Sequence, residues 1–185
     1  MTFSKTLLAT AAATTMAFAG AAYAMNPTVG GASMLEERNI VENAVNSPIH
    51  TTLVAAVQAA DLVDTLSSEG PFTVFAPVND AFAALPEGTV ETLLMEENKD
   101  MLVKILTAHV VAGDISAADL MAGINASSDG FFHMQTVSGD ALSAQMNGGS
   151  VYIYDESGNA AEVTIADVGQ SNGVIHVVDG VLLPE

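Results

Sequence analysis

Cysteine is absent from the 185-residue chain, and tryptophan with it. Without thiols there is no disulfide framework, no thiolate nucleophile and no cysteine to carry a lipid behind an export signal. Bases are almost as scarce: four Lys and Arg stand against 22 Asp and Glu, for a formal net charge of −18. Such a surface repels phosphate backbones and anionic headgroups, which removes nucleic acid and bare membrane from the partner classes. The acid excess serves either solubility in salty water, where screening makes self-repulsion cheap, or attraction of cations and basic partners. Catalytic signatures are missing too: there is no G-x-S-x-G, no S-x-x-K, no H-E-x-x-H and no Gly-rich phosphate loop. His50, His109, His133 and His176 are scattered without metal-ligand spacing. The run from Asp155 to Asn159 has Ala160 and Ala166 where a calcium loop needs Gly and Glu, so it reads as a turn. No catalytic group, metal or cofactor is expected.

What is present begins with an export signal. Lys5 precedes an apolar, Ala-rich stretch, and Ala22-Tyr23-Ala24 has the small-x-small pattern of a cleavage site. Residues 1–24 are therefore read as a signal peptide, and 25–38, with Pro27, Gly30 and Gly31, as a flexible leader. Beyond the signal no apolar run is long enough to span a bilayer, so the product is expected in the periplasm or outside the cell. Residues 39–185 form one domain of a length that supports a sizeable core.

Within that domain the hydrophobic period changes near Gly130. Before it, Ile40, Ala44 and Val45, then Leu53, Ala56, Val57 and Ala60, and later Leu102, Ile105, Leu106 and His109 recur at helical spacing. Ser47-Pro48 reads as a cap and first turn, Gly113 as a helix stop, and Ser116 with Asp119 as a capping box. After it, five short runs (132–137, 141–146, 151–154, 161–165, 174–178) alternate with Gly- and Asn-rich turns and read as strands. One strand stands early, at Phe72 to Phe75; Pro77 ends it, and Asn79 caps the helix that follows. Helices in the first half and strands in the second predict an α+β domain, the early strand tying the halves together.

The residues of that early strand carry a resemblance. Thr73-Val74-Phe75-Ala76-Pro77 with Asn79 and Phe82 resembles the first signature block of the fasciclin domain family. Asn172-Gly173-Val174-Ile175-His176-Val177-Val178 resembles the second, and Leu106 to Val111 the segment between. The resemblance implies a wedge-shaped β-sandwich flanked by short helices. It also implies a non-enzymatic module for cell adhesion or extracellular interaction, with a cell-surface or matrix protein or glycan as partner. Carriage of an apolar small molecule such as a carotenoid is the alternative that some relatives suggest.

Candidate contact residues follow from the same resemblance. His109 matches the second residue of an adhesive Tyr-His pair, although Ala108 stands where the Tyr would be. Asp167-Val168 matches an Asp-Ile adhesive dipeptide. Read from the residues alone, His176 is a buried neutral ring hydrogen-bonded to the backbone, and His109 a core histidine. Tyr152 and Tyr154 share a strand face, but with so few aromatics a stacking platform for glycans is not expected.

Overall fold

The computed structural model describes residues 26–184; the expected signal peptide, Met25 and Glu185 lie outside them. The described chain runs β1 (Thr28–Val29), β2 (Ala32–Ser33), α1 (Ile40–Asn46), α2 (Thr51–Ala59), α3 (Val63–Leu66), β3 (Phe72–Pro77), α4 (Asn79–Ala83) and α5 (Thr89–Leu93). It continues through α6 (Lys99–Ala108), β4 (Val110–Ala112), α7 (Ala117–Ala126), β5 (Phe132–Gln135), β6 (Ala141–Asn147), β7 (Ser150–Tyr154), β8 (Ala160–Gln170) and β9 (Gly173–Val178).

Seven strands form one sheet in the order β4-β3-β9-β8-β7-β6-β5. A bridge between Val111 and Thr136 joins its two ends, so the sheet curls nearly closed. The early strand does tie the halves together, and it does so by pairing parallel with β9, from Phe72 opposite Gly173 to Pro77 opposite Val178. Both strands are buried along most of their length, as parallel neighbours covered on two sides must be. Inside the curl, Phe75, Val111 and Val178 meet Leu142, Ile153 and Ala161. On the other side, α1, α2 and α6 lay Ile40, Leu53, Val57, Leu102 and Leu106 against Val74, Ile175 and Val177. Two apolar layers therefore clamp the β3–β9 pair, with the helices flanking the wedge.

Several local expectations are corrected. The stretch read as a flexible leader forms the β1–β2 hairpin, and burial of Val29 and Met34 packs it into the domain. Ser47-Pro48 does not open a helix: Ser47 terminates α1, and α2 begins at Thr51. Asn79 does not cap its own helix either. Its Oδ1 accepts from the Thr52 N–H at 3.0 Å and from the Thr51 hydroxyl at 3.2 Å, while its amide donates to the Pro48 carbonyl at 3.2 Å. Its chemistry is that of an N-cap, applied to α2, which has no cap of its own because His50 supplies no such bond. After Ala108 the chain turns directly into β4, so Gly113 ends a strand rather than a helix. The Ser116–Asp119 capping box is present, with both reciprocal bonds.

Candidate interaction surface

Histidine placement decides what this molecule can do chemically. His176, fully buried in β9, faces the Ile115 carbonyl with Nε2 at 2.8 Å, while its Nδ1 accepts from the Asp167 N–H at 3.3 Å. Those partners fix a neutral ring, since a carbonyl needs a donor and an N–H an acceptor. Phe75 stacks on it with ring centroids 5.6 Å apart. Desolvation holds its pKa below the usual histidine value; the Ile115 carbonyl and the charges of Asp167 and Asp114 work in the opposite direction.

His109 ends α6 and is equally enclosed, at 2 % exposure. Its Nδ1 donates to the Ile105 carbonyl at 2.8 Å, and its Nε2 accepts from the Leu182 N–H at 2.9 Å. Burial pushes its pKa down to about 4. Asp155 completes the same clasp, accepting from the Leu183 N–H at 2.9 Å, so the last residues are pinned to the curled sheet. Both rings are thus engaged with backbone groups on either nitrogen, and neither is left to act as a general base.

Of the three contact candidates, two are corrected by burial. His109 and Val168, the latter with no exposure at all, cannot touch a partner from where they stand. Ala108 is buried as well, so that position presents nothing to solvent. Asp167 is different: its side chain is exposed, its backbone has a left-handed φ of 56°, and its Oδ1 accepts from the Ala117 N–H at 2.7 Å. Asp thereby satisfies a free donor at the start of α7 while its charge faces water.

The other motif residues build the frame beneath this corner. The Thr73 hydroxyl donates to the Gly113 carbonyl at 2.7 Å and accepts from the Ile115 N–H at 2.9 Å, fixing the loop that carries Asp114. Asn172 accepts from the Ile40 N–H at 3.0 Å and donates to the carbonyls of Leu66 and Ser68, joining α1, α3 and β9. Gly173 follows at φ 150°, where a Cβ would stand 1.9 Å from the Phe72 carbonyl oxygen, so no side chain fits there. Phe82 is buried against the helical layer. Between the 67–71 and 170–173 segments these residues leave an open polar groove of about 510 Å³, with Asp114 on its wall. Asp114 carries no motif signal in the sequence. Its position becomes visible only when Thr73 and His176 bring its loop beside Asp167.

The enclosed apolar space between helices and sheet is small by comparison. A cavity of about 40 Å³ lies between α1, α2 and α6 and the sheet, lined by Leu53, Val57, Val74 and Ile175. Its size is near that of one water molecule, whereas pockets for drug-sized ligands occupy about 300–1,000 Å³. A carotenoid would require the helices to move. Among the described residues no three His, Asp or Glu side chains converge as a metal site, and no helix is long and apolar enough to cross a membrane.

Comparison with known proteins places these features among relatives. The family model described as "Fasciclin domain" matches residues 48–184. "Protein sll1483" of Synechocystis sp. is 55% identical over 145 residues, covering 78% of this chain and 73% of that protein. The "Immunogenic protein MPB70" of Mycobacterium bovis is 36% identical over 168 residues, covering 87% of this chain and 77% of that protein. Among solved structures, a FAS1 domain pair from the insect cell adhesion molecule Fasciclin I superposes with a TM-score of 0.70 at 21% identity, over 79% of this chain and 51% of that one. That likeness shows the fold.

Proposed function

Because the chain belongs to the fasciclin domain family, we propose that it is an exported, non-enzymatic module for adhesion or extracellular interaction, and that its contact surface is the Asp114–Asp167 corner with the adjoining groove. The observation that carries this reading is the contrast at the candidate positions. The rings of His109 and His176 are buried and engaged, while Asp167 alone of the three candidates stands in solvent on a braced backbone. Asp167 holds the Ala117 N–H and His176 the Ile115 carbonyl, so the loop that carries Asp114 and the Asp167 carboxylate share one corner. A paired acidic determinant beside a polar groove suits a surface protein or glycan that offers donors or cations, and it repels anionic lipid. Export to the periplasm or beyond accords with the N-terminal signal pattern.

The test is capture of the purified protein on cell envelopes from the producing organism. Saturable, protein-dependent attachment supports the proposal. Attachment no greater than that of an unrelated protein of equal net charge would refute it.

A further inference from the structure

The outer face of the β5–β8 strands gathers what the sequence scatters. Inward residues such as Leu142, Ile153 and Ala161 are buried, so by alternation their neighbours along each strand stand outward. His133, Ser143 and Tyr154 align across three strands, and Gln145, Tyr152 and Glu162 form the next row. Phe131, just before β5, stacks on His133 with centroids 6.3 Å apart and meets the Tyr154 ring edge-on at 5.9 Å. The Tyr152 hydroxyl donates to Glu162 at 3.1 Å. Carboxylates close both ends of this strip. Asp129 accepts from His133 Nε2 at 3.1 Å on one side; on the other, Asp179 accepts from the Glu162 N–H at 2.7 Å. At ladder spacing the strip crosses four strands, a span of about 14 Å.

Charge says what fits it. No Lys or Arg follows Lys104 in the chain, whereas ten Asp and Glu do. Ring faces present the negative side of an aromatic quadrupole, and the hydrogen bond to Glu162, followed by the charges of Glu162 and Asp179, raises the Tyr152 pKa. An anionic ligand is repelled along the whole strip. A neutral sugar would use the rings and could donate hydroxyls to the carboxylates, but it would leave their charge uncompensated.

The geometry points to a second interaction face, separate from the Asp114–Asp167 corner, that docks an extended basic polypeptide segment of a partner, with Arg or Lys groups on the rings of Phe131, Tyr152 and Tyr154 between the flanking carboxylates. An extended chain repeats its side chains every two residues, at about 6.6–6.8 Å, so alternate basic residues can follow the strip from ring to ring. The face goes beyond the proposed function, which stands or falls on the other corner.

The protein supplies its own reporter. Tryptophan is absent, and Tyr152 and Tyr154 are two of its three tyrosines, the third being Tyr23 in the expected signal peptide. Tyrosine fluorescence therefore reads this strip directly. The probe is a ten-residue peptide of alternating Arg and Ser; its comparators are the same peptide with Gln for Arg, and a neutral β-linked glucohexaose.

Only the Arg peptide should change the emission saturably. Its affinity should fall about ten-fold in Phe131→Ser/Tyr154→Ser, where two ring faces are gone. Asp129→Asn/Glu162→Gln leaves the rings and core in place, and should weaken binding at least about five-fold even if the ring variant fails to fold. Glu96→Gln/Glu97→Gln removes equal charge from the helical half and should change affinity less than about two-fold. Three results overturn the proposal: no saturable response to the Arg peptide, a response to the glucohexaose in its place, or equal loss in the Glu96/Glu97 variant.

Discussion

A buried histidine held neutral by desolvation is a liability at low pH, and this protein contains at least two. His109 titrates at about 4 in the folded protein and near 6.5 when unfolded. Between those values the unfolded chain binds a proton that the native state refuses, so its contribution to stability falls as pH drops through 6.5 and levels out below 4. Relative to neutral pH the loss at pH 5 is about 2 kcal/mol, and His176, shifted in the same direction, adds to it. Protonation of carboxylates opposes the trend by relieving charge repulsion, so the whole-protein pH profile mixes both effects. His109→Gln isolates the residue, since glutamine keeps a donor and an acceptor but cannot titrate. Denaturant unfolding should show wild type ahead of the variant at pH 7.5, with the gap narrowing by about 2 kcal/mol at pH 5. A gap independent of pH would mean His109 is solvated or charged in the native state. The burial of these rings was legible in the sequence from the apolar neighbours of His176 and the stripe ending at His109. That burial also removes His109 as a contact was not legible, because the family resemblance and the apolar stripe point in opposite directions and only the Leu182 N–H decides between them.

At the scale of elements, the short strands of the second half were readable because each is a run of four or more residues between Gly- or Asn-bearing turns, most of them alternating and the last apolar on both faces. The two shortest features escaped. Two-residue strands β1 and β2 have no period to read, and burial of Val29 and Met34 is a tertiary fact. Asn79 shows the same limit in another form: its capping chemistry was evident, its target was not, because α2 lies 27 residues upstream. That displaced cap makes a prediction. Asn79→Ala should cost about 1–2 kcal/mol by orphaning the Thr52 N–H and freeing the start of α2. Asn79→Asp should recover most of it, keeping the acceptor and adding a charge that the helix N-terminus favours. Urea midpoints for both variants are the measurement; equal losses would show that the bond to Pro48, not the cap, holds the joint.

For the molecule as a whole, charge is the governing quantity. At a net −18, self-repulsion opposes compaction, and screening relieves it. The melting temperature should therefore rise from low salt to about 1 M, where the Debye length is about 3 Å. A fall would show that ion pairs such as Lys104–Asp140 contribute more than the repulsion does. The partner class was the least legible part, since the features that support it lie on separate segments, the Asp114 loop, β8 and the groove walls, brought together by Thr73, Asn172 and His176 rather than on any contiguous motif.

The measurement that bears most directly on this account is attachment to cell envelopes by three proteins: wild type, Asp114→Asn/Asp167→Asn and His176→Ala, each with its melting curve. The acidic pair is exposed and stands outside the core, so its replacement should reduce attachment about ten-fold while changing stability by no more than about 1 kcal/mol. His176→Ala leaves a cavity, the Ile115 carbonyl without its donor and the Asp167 N–H without its acceptor; it should cost about 2–4 kcal/mol and lower attachment only in step with the folded fraction. Attachment lost in His176→Ala at unchanged melting, or retained in the acidic double variant, would contradict the account.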